Sequence, residues 1–272
     1  MLILAGMASD LLLSGCAGWE ATHPRVPVRL TVWQTFKLPV TPAKIVADSR
    51  SDYLFILDKD RPYVHILRNG IKINSLGGFG MDKTNFLKLS DIALDNDGNL
   101  LTLDSFTKQI SKFTPAGMWV ADISLSNLTQ PEKLAVTSEG DLLVFDAAPR
   151  EIARISAFDR RVTYSFGRFN LGHVSELQCS RDFIVAINDT RDKSVVFSAL
   201  GQFLREEPMP VIFDMYQNEY VYTEGALRLK GSELKYPFGK PAGELLLSTD
   251  GERLLVSDGY QLWMLQPVFE ER

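Results

Sequence analysis

The sequence predicts an all-β fold, a six-bladed β-propeller of four-stranded blades, and three observations point there. Short apolar strands alternate with polar turns from about residue 28 to residue 268, and no stretch shows helical periodicity. One unit, DIALDNDGNLLTLDSFTKQISKFTPAG at 91–117, reads as three strands and two turns, and other stretches of the chain copy it. In each copy an acidic residue ends the second strand: Asp58, Asp104, Asp146, Asp189, Glu224 and Asp258, separated by 46, 42, 43, 35 and 34 residues. Repeats of that length are propeller blades or solenoid coils, and four strands per repeat without a helix select the propeller.

The elements follow in order. Val28–Leu38 is a single strand with Leu30, Val32 and Phe36 on one face and no hairpin partner beside it. The first copy comprises Lys44–Asp48, Tyr53–Asp58, Tyr63–Arg68 and Ile71–Leu76; the second is the 91–117 unit with Trp119–Leu125. Within that unit Gly98 supplies the positive φ of a tight hairpin, and the flanking Asp and Asn side chains bond back to the turn. The third copy is Lys133–Val136, Asp141–Asp146, Glu151–Phe158 and Arg161–Phe166, and the fourth is Glu176–Cys179, Phe183–Asp189, Ser194–Ala199 and Gln202–Arg205. The fifth is Val211–Met215, Glu219–Glu224, Ala226–Lys230 and Glu233–Phe238. The sixth, Glu244–Leu247, Arg253–Asp258 and Gln261–Gln266, lacks an outer strand. The ring closes if Val28–Phe36 supplies it, which removes an open junction with unpaired backbone groups.

The strand ends YLFILD, NLLTLD, LLVFD and RLLVSD, and the pairs Phe79-Gly80, Phe166-Gly167 and Phe238-Gly239 after fourth strands, resemble the NHL-repeat family of six-bladed propellers. The resemblance covers about Val28 to Gln266, and most copies lack the family's Arg in the third strand. The first residues resemble something else. Met1–Leu13 is apolar, and Leu13-Ser14-Gly15-Cys16 is similar to the lipobox of bacterial lipoprotein precursors, although Asp10 interrupts the run and no Lys or Arg precedes it. The resemblance implies a signal segment at 1–16, lipidation at Cys16, and a tether at 17–27 ahead of a propeller at 28–268. Ala17 and Gly18 after the lipid site, with no Asp following it, imply an outer-membrane lipoprotein facing the periplasm. A tether of about 11 residues reaches at most about 35 to 40 Å.

Composition narrows the function. A net charge of −5 disfavours nucleic acid as a partner, and Arg154, Arg160, Arg161 and Arg168 read as a solvated outer face. Cys16 apart, only Cys179 remains, a small hydrophobe within an apolar strand. The motifs H-E-x-x-H, G-x-S-x-G and C-x-x-C and a phosphate loop are all missing. Propeller lyases of related fold need several histidines around a central metal, whereas this chain has His23, His65 and His173 only. Asp95–Asn99 lacks the twelfth-position Glu of a calcium loop and reads as a repeated turn.

One constellation remains. The copies place a charged residue at the start of the innermost strand: Lys44, Asp91, Lys133, Glu176 and Glu244. Such residues converge at one mouth of the central channel, where they either pair with one another or hold a polar ligand or metal. Two functions are therefore expected. The first is a rigid binding or assembly platform for protein partners in the cell envelope, with no cofactor. The alternative is a metal-dependent lactonase or lyase using the mouth carboxylates, with calcium as its cofactor. Glycan binding through Trp119 and Trp263 is a third idea, set against simple core packing of both.

Overall fold

The computed structural model describes residues 25–80, 82–239 and 245–270, and these form six four-stranded antiparallel sheets with no helix. Five of the sheets run outward in chain order, from an inner strand such as Pro42–Asp48 to an outer one such as Ile71–Gly77. The second strands are the most deeply buried, and Leu100–Asp104 and Leu142–Asp146 are buried from end to end. Both faces of each sheet meet a neighbouring blade, so a continuous apolar run is what the geometry demands. Ala93, Leu101 and Leu103 of blade two thus share one cluster with Leu134, Leu142 and Val144 of blade three. Blade five is the thinnest, with inner and outer strands of three residues each, Val211–Phe213 and Lys235–Pro237.

The sixth sheet contains Leu246–Thr249, Leu254–Ser257, Gln261–Val268 and, outermost, the N-terminal strand Arg29–Lys37. That strand runs antiparallel to the last one in the chain, from Arg29 opposite Val268 to Lys37 opposite Gln261, and Thr35 faces Trp263. A bulge at Trp33 interrupts the register between Val32 and Gln34. Leu30 is buried in the cluster shared by blades five and six, and Phe36 packs on the cluster shared by six and one. Val32, expected on the same face, is exposed, since the outermost strand beside its bulge is covered by no further blade.

Antiparallel alternation gives the ring two distinct ends. Hairpins between first and second strands lie at one end, hereafter the hairpin face. Loops after second strands, with the connections between blades, lie at the other, the acidic face. The hairpins form as expected: in blade two Asp95 Oδ1 accepts the amides of Asp97 and Asn99 at 3.0 and 2.8 Å, and Gly98 has φ +80°. On the acidic face Asp104 accepts the amides of Leu87 and Lys88, and Asp146 those of Thr129 and Gln130, tying each blade to the connection that enters it. In blade four the register assigns this place to Asn188, opposite Val174, and not to Asp189. In blade five the strand ends at Thr223, and Glu224 lies one residue beyond it, paired with Arg228.

Candidate functional site

In blades one to four the inner strand carries a bulge just before the charged residue. Pro42 faces Asp58 and then Lys44 faces Leu57; the same step precedes Asp91, Lys133 and Glu176. A bulge re-aims the side chain that follows it, and here it turns a repeated position toward the axis. The two remaining blades offer no charge there. The residue before Val211 in blade five is Pro210, and in blade six Leu246 faces Ser257 as Asp91 faces Leu103. Glu244, aligned to this position by sequence, lies outside the described residues, two places ahead of Leu246. Cys16 and the rest of the segment 1–24 lie outside them too.

The charges that meet do so as closed pairs. Lys44 Nζ donates to Asp91 Oδ2 at 2.9 Å and to the Leu134 carbonyl at 3.1 Å, and the Leu134 amide donates to the same Asp91 oxygen at 2.7 Å. Three blades are thereby joined across the axis. Asp91 is 1% exposed and Lys44 7%. Glu176 forms the second pair: Arg191, in the loop after the second strand of blade four, reaches its Oε2 at 2.7 Å. Gln178 Nε2 then bridges Glu176 Oε1, at 2.8 Å, and the Leu247 carbonyl, at 2.7 Å. Lys133 is partly exposed and makes no ion pair among the described residues. What looked like an open ring of charge is, for Lys44, Asp91 and Glu176, a polar plug.

Beyond this plug the channel widens into a funnel of about 520 Å³ that opens at the hairpin face. Lys44 and Leu134 form its floor, and Val46, Ala47, Ala93, Leu94, Ala135 and Phe213 line its wall. Consecutive residues such as Val46 and Ala47 pack into different inter-blade clusters yet both line the wall, because the edge of each inner strand rather than one of its faces looks onto the axis. Polar groups gather at the rim and are held by one another. Asn96 donates to the Ser138 carbonyl. Asp214 accepts Asn218 Nδ2 at 2.8 Å and the Tyr220 hydroxyl at 3.0 Å. Burial raises the Asp250 carboxyl above the usual carboxylate range even though Arg253 Nε bonds it at 2.7 Å and acts in the opposite sense. Burial likewise pushes the Cys179 thiol, on the same wall, up to about 12.

Among the described residues, no group of three or more His, Cys, Asp or Glu side chains is arranged to hold a metal ion. The donors expected to do so are engaged elsewhere, Asp91 by an ammonium and Glu176 by a guanidinium. His173 is exposed, and His65 is buried on the third strand of blade one. Trp119 is 43% exposed, its Nε1 donating to Asp122 and Lys83 lying 4.6 Å from its ring centroid, so core packing does not account for it. Trp263 packs edge-on against Phe238. Sequence reasoning missed Arg191 and Gln178. Arg191 stands between Asp189 and Asp192 within a short loop, and Gln178 interrupts the inner strand of blade four; each oddity is the signal that was present.

No family model matches the chain, and no curated protein matches it. Among solved structures the chain is similar to virginiamycin B lyase from Staphylococcus aureus, at 13% identity over 88% of this chain and 99% of that one, with a TM-score of 0.58. It is similar to the Pan2 WD40 domain of Neurospora crassa, at 12% identity over 92% and 99% with a TM-score of 0.57. It is also similar to hydrazine synthase of Kuenenia stuttgartiensis, at 11% identity over 81% and 75% with a TM-score of 0.53. An enzyme and a WD40 domain at like distance establish the propeller fold and leave chemistry to the residues on the axis.

Proposed function

We propose that the chain is an NHL-like, lipid-anchored propeller of the bacterial envelope that works as a binding platform for a protein partner, taking an apolar element of that partner into the funnel. The observation that carries this reading is the funnel itself: a concave, apolar-walled cavity with a polar rim, closed below by the Lys44–Asp91 pair. Concave apolar cavities with a few polar groups are where ligands dock. The N-terminal approach agrees with it. Asn218, in the hairpin of blade five, donates to the Arg25 carbonyl at 2.9 Å, and Arg25 lies 5.8 Å from the Tyr216 ring. A lipid on Cys16 would sit within about 30 Å of that rim, from nine intervening peptide steps, and would turn the hairpin face toward the membrane.

The test is photocrosslinking in intact cells from a benzophenone amino acid placed at Ser138 on the rim, with Ala135→Trp as the funnel-filling variant. One discrete adduct, lost on Ala135→Trp while the fold is retained, is the expected result. Crosslinking unchanged by filling the funnel overturns the reading. Anchoring is tested separately, by incorporation of labelled fatty acid that disappears in Cys16→Ser.

A further inference from the structure

We propose that blade one, away from the axis, carries a serine-nucleophile site formed by Ser75, His65 and Asp58 and able to take the acyl group of an activated ester. His65 on the third strand faces Ser75 on the outer strand in register, so the two side chains stand side by side. The Ser75 hydroxyl lies 3.0 Å from His65 Nδ1, and His65 Nε2 lies 3.3 Å from Asp58 Oδ2. A nucleophile, a base and a group that orients the base are thus linked in one chain, and such a set is recognised by geometry and role rather than by position in a sequence.

Blade one departs from its neighbours to make this chain. In blades two and three the carboxylates of Asp104 and Asp146 are filled by amides of the connection entering the blade. The corresponding stretch Val40–Thr41 donates nothing to Asp58, whose Oδ1 takes the Asp60 amide and whose Oδ2 is left for the imidazole. A carboxylate on Nε2 holds the ring proton there, which leaves the Nδ1 lone pair facing the serine. Burial lowers the His65 pKa below its ordinary value, Lys72 acting in the same sense and Asp58 against it, so the ring is a neutral base at pH 7. The site opens into a cavity of about 580 Å³, large enough for a small ester. Lys72 and Arg61 line that cavity, and neither side chain has a hydrogen bond or ion pair among the described residues. They are the cations available to a developing oxyanion.

The chemistry balances with water as the only co-reactant. Ser75 Oγ bonds to the acyl carbon as its proton passes to Nδ1. The tetrahedral oxyanion collapses, and the departing alkoxide or phenoxide takes that proton from the imidazolium. Water, deprotonated by Nδ1, then attacks the Ser75 ester and releases the acid, and the proton on Nδ1 returns to the serine oxygen. The net change is ester plus water to acid plus alcohol.

The experiment treats the full chain with a fluorophosphonate probe at pH 7.5, with the adduct located by peptide mass spectrometry. Ser75 is expected to be the modified residue. Ser75→Ala removes only a half-buried hydroxyl and should abolish the adduct without changing the melting temperature. Asp58→Asn should slow modification at least tenfold, and the wild-type rate should rise with pH through an apparent pKa below 6.5. A wild-type protein left unmodified at Ser75 overturns the proposal, as does modification of Ser75 at an unchanged rate in His65→Gln.

Discussion

Removing one partner of the axial pair should cost the fold far more than removing both. Asp91→Ala deletes the carboxylate that accepts Lys44 Nζ at 2.9 Å and the Leu134 amide at 2.7 Å. A buried ammonium is left with one carbonyl at 3.1 Å. Breaking a buried pair from one side costs about 3–5 kcal/mol, and at about 1.4 kcal/mol per tenfold the folded-to-unfolded ratio drops more than a hundredfold. Lys44→Met with Asp91→Leu puts apolar groups of similar size at both positions, and such replacements of buried pairs are often neutral or stabilising. Urea unfolding followed by tryptophan fluorescence should place the double variant within about 1 kcal/mol of wild type, well above Asp91→Ala. The reasoning is refuted if Asp91→Ala loses under about 1 kcal/mol, the size of an exposed pair, or if the double variant is the least stable of the three.

Three further outcomes are expected. Leu30→Ala, which empties part of the cluster under the closing strand, should destabilise by about 2–5 kcal/mol in the same urea assay. Asp122→Asn should lower the melting temperature at pH 7: burial works against the Asp122 carboxylate, but hydrogen bonds from Lys83, Trp119 and Ser111 outweigh it and hold its pKa at about 2. Because the folded value lies below the ordinary carboxyl value, this stabilisation is full above about pH 4 and vanishes as pH falls through about 2, so melting curves of the two proteins should converge there. With Cys16 replaced by Ser, the native protein should show no thiol reactive toward a disulfide reagent at pH 8, Cys179 becoming reactive only on unfolding.

Six four-stranded blades and closure by the N-terminal strand were both legible, because an apolar strand ending in an acid is written into the chain six times and the sixth copy is visibly one strand short. Register at the axis was harder to read. Glu244, outside the described residues, aligns with Asp91 by eye, yet pairing sets Leu246 opposite Ser257 as Asp91 stands opposite Leu103, because the turn between Thr249 and Leu254 is one residue shorter than that between Leu94 and Leu100. Asp189 misled in the same way beside Asn188. The charged inner positions were readable as a set, but not their pairing, which joins Lys44 to Asp91 across 47 residues and Glu176 to an arginine in a loop. The funnel was hidden for a different reason: alanine and valine on an inner strand look the same whether they line a void or fill a core.

The outermost strand of the last sheet is the first part of the propeller to leave the ribosome, and its partner, Gln261–Val268, is nearly the last. For almost the whole of synthesis Arg29–Lys37 therefore has no place to go, and a growing array of blades exposes a pairing edge at each end. Completion is a late, all-or-nothing event. A chain that stops just short of Gln261 keeps most of its blades but never acquires its last contact, and cells should meet it as a substrate for chaperones and proteases.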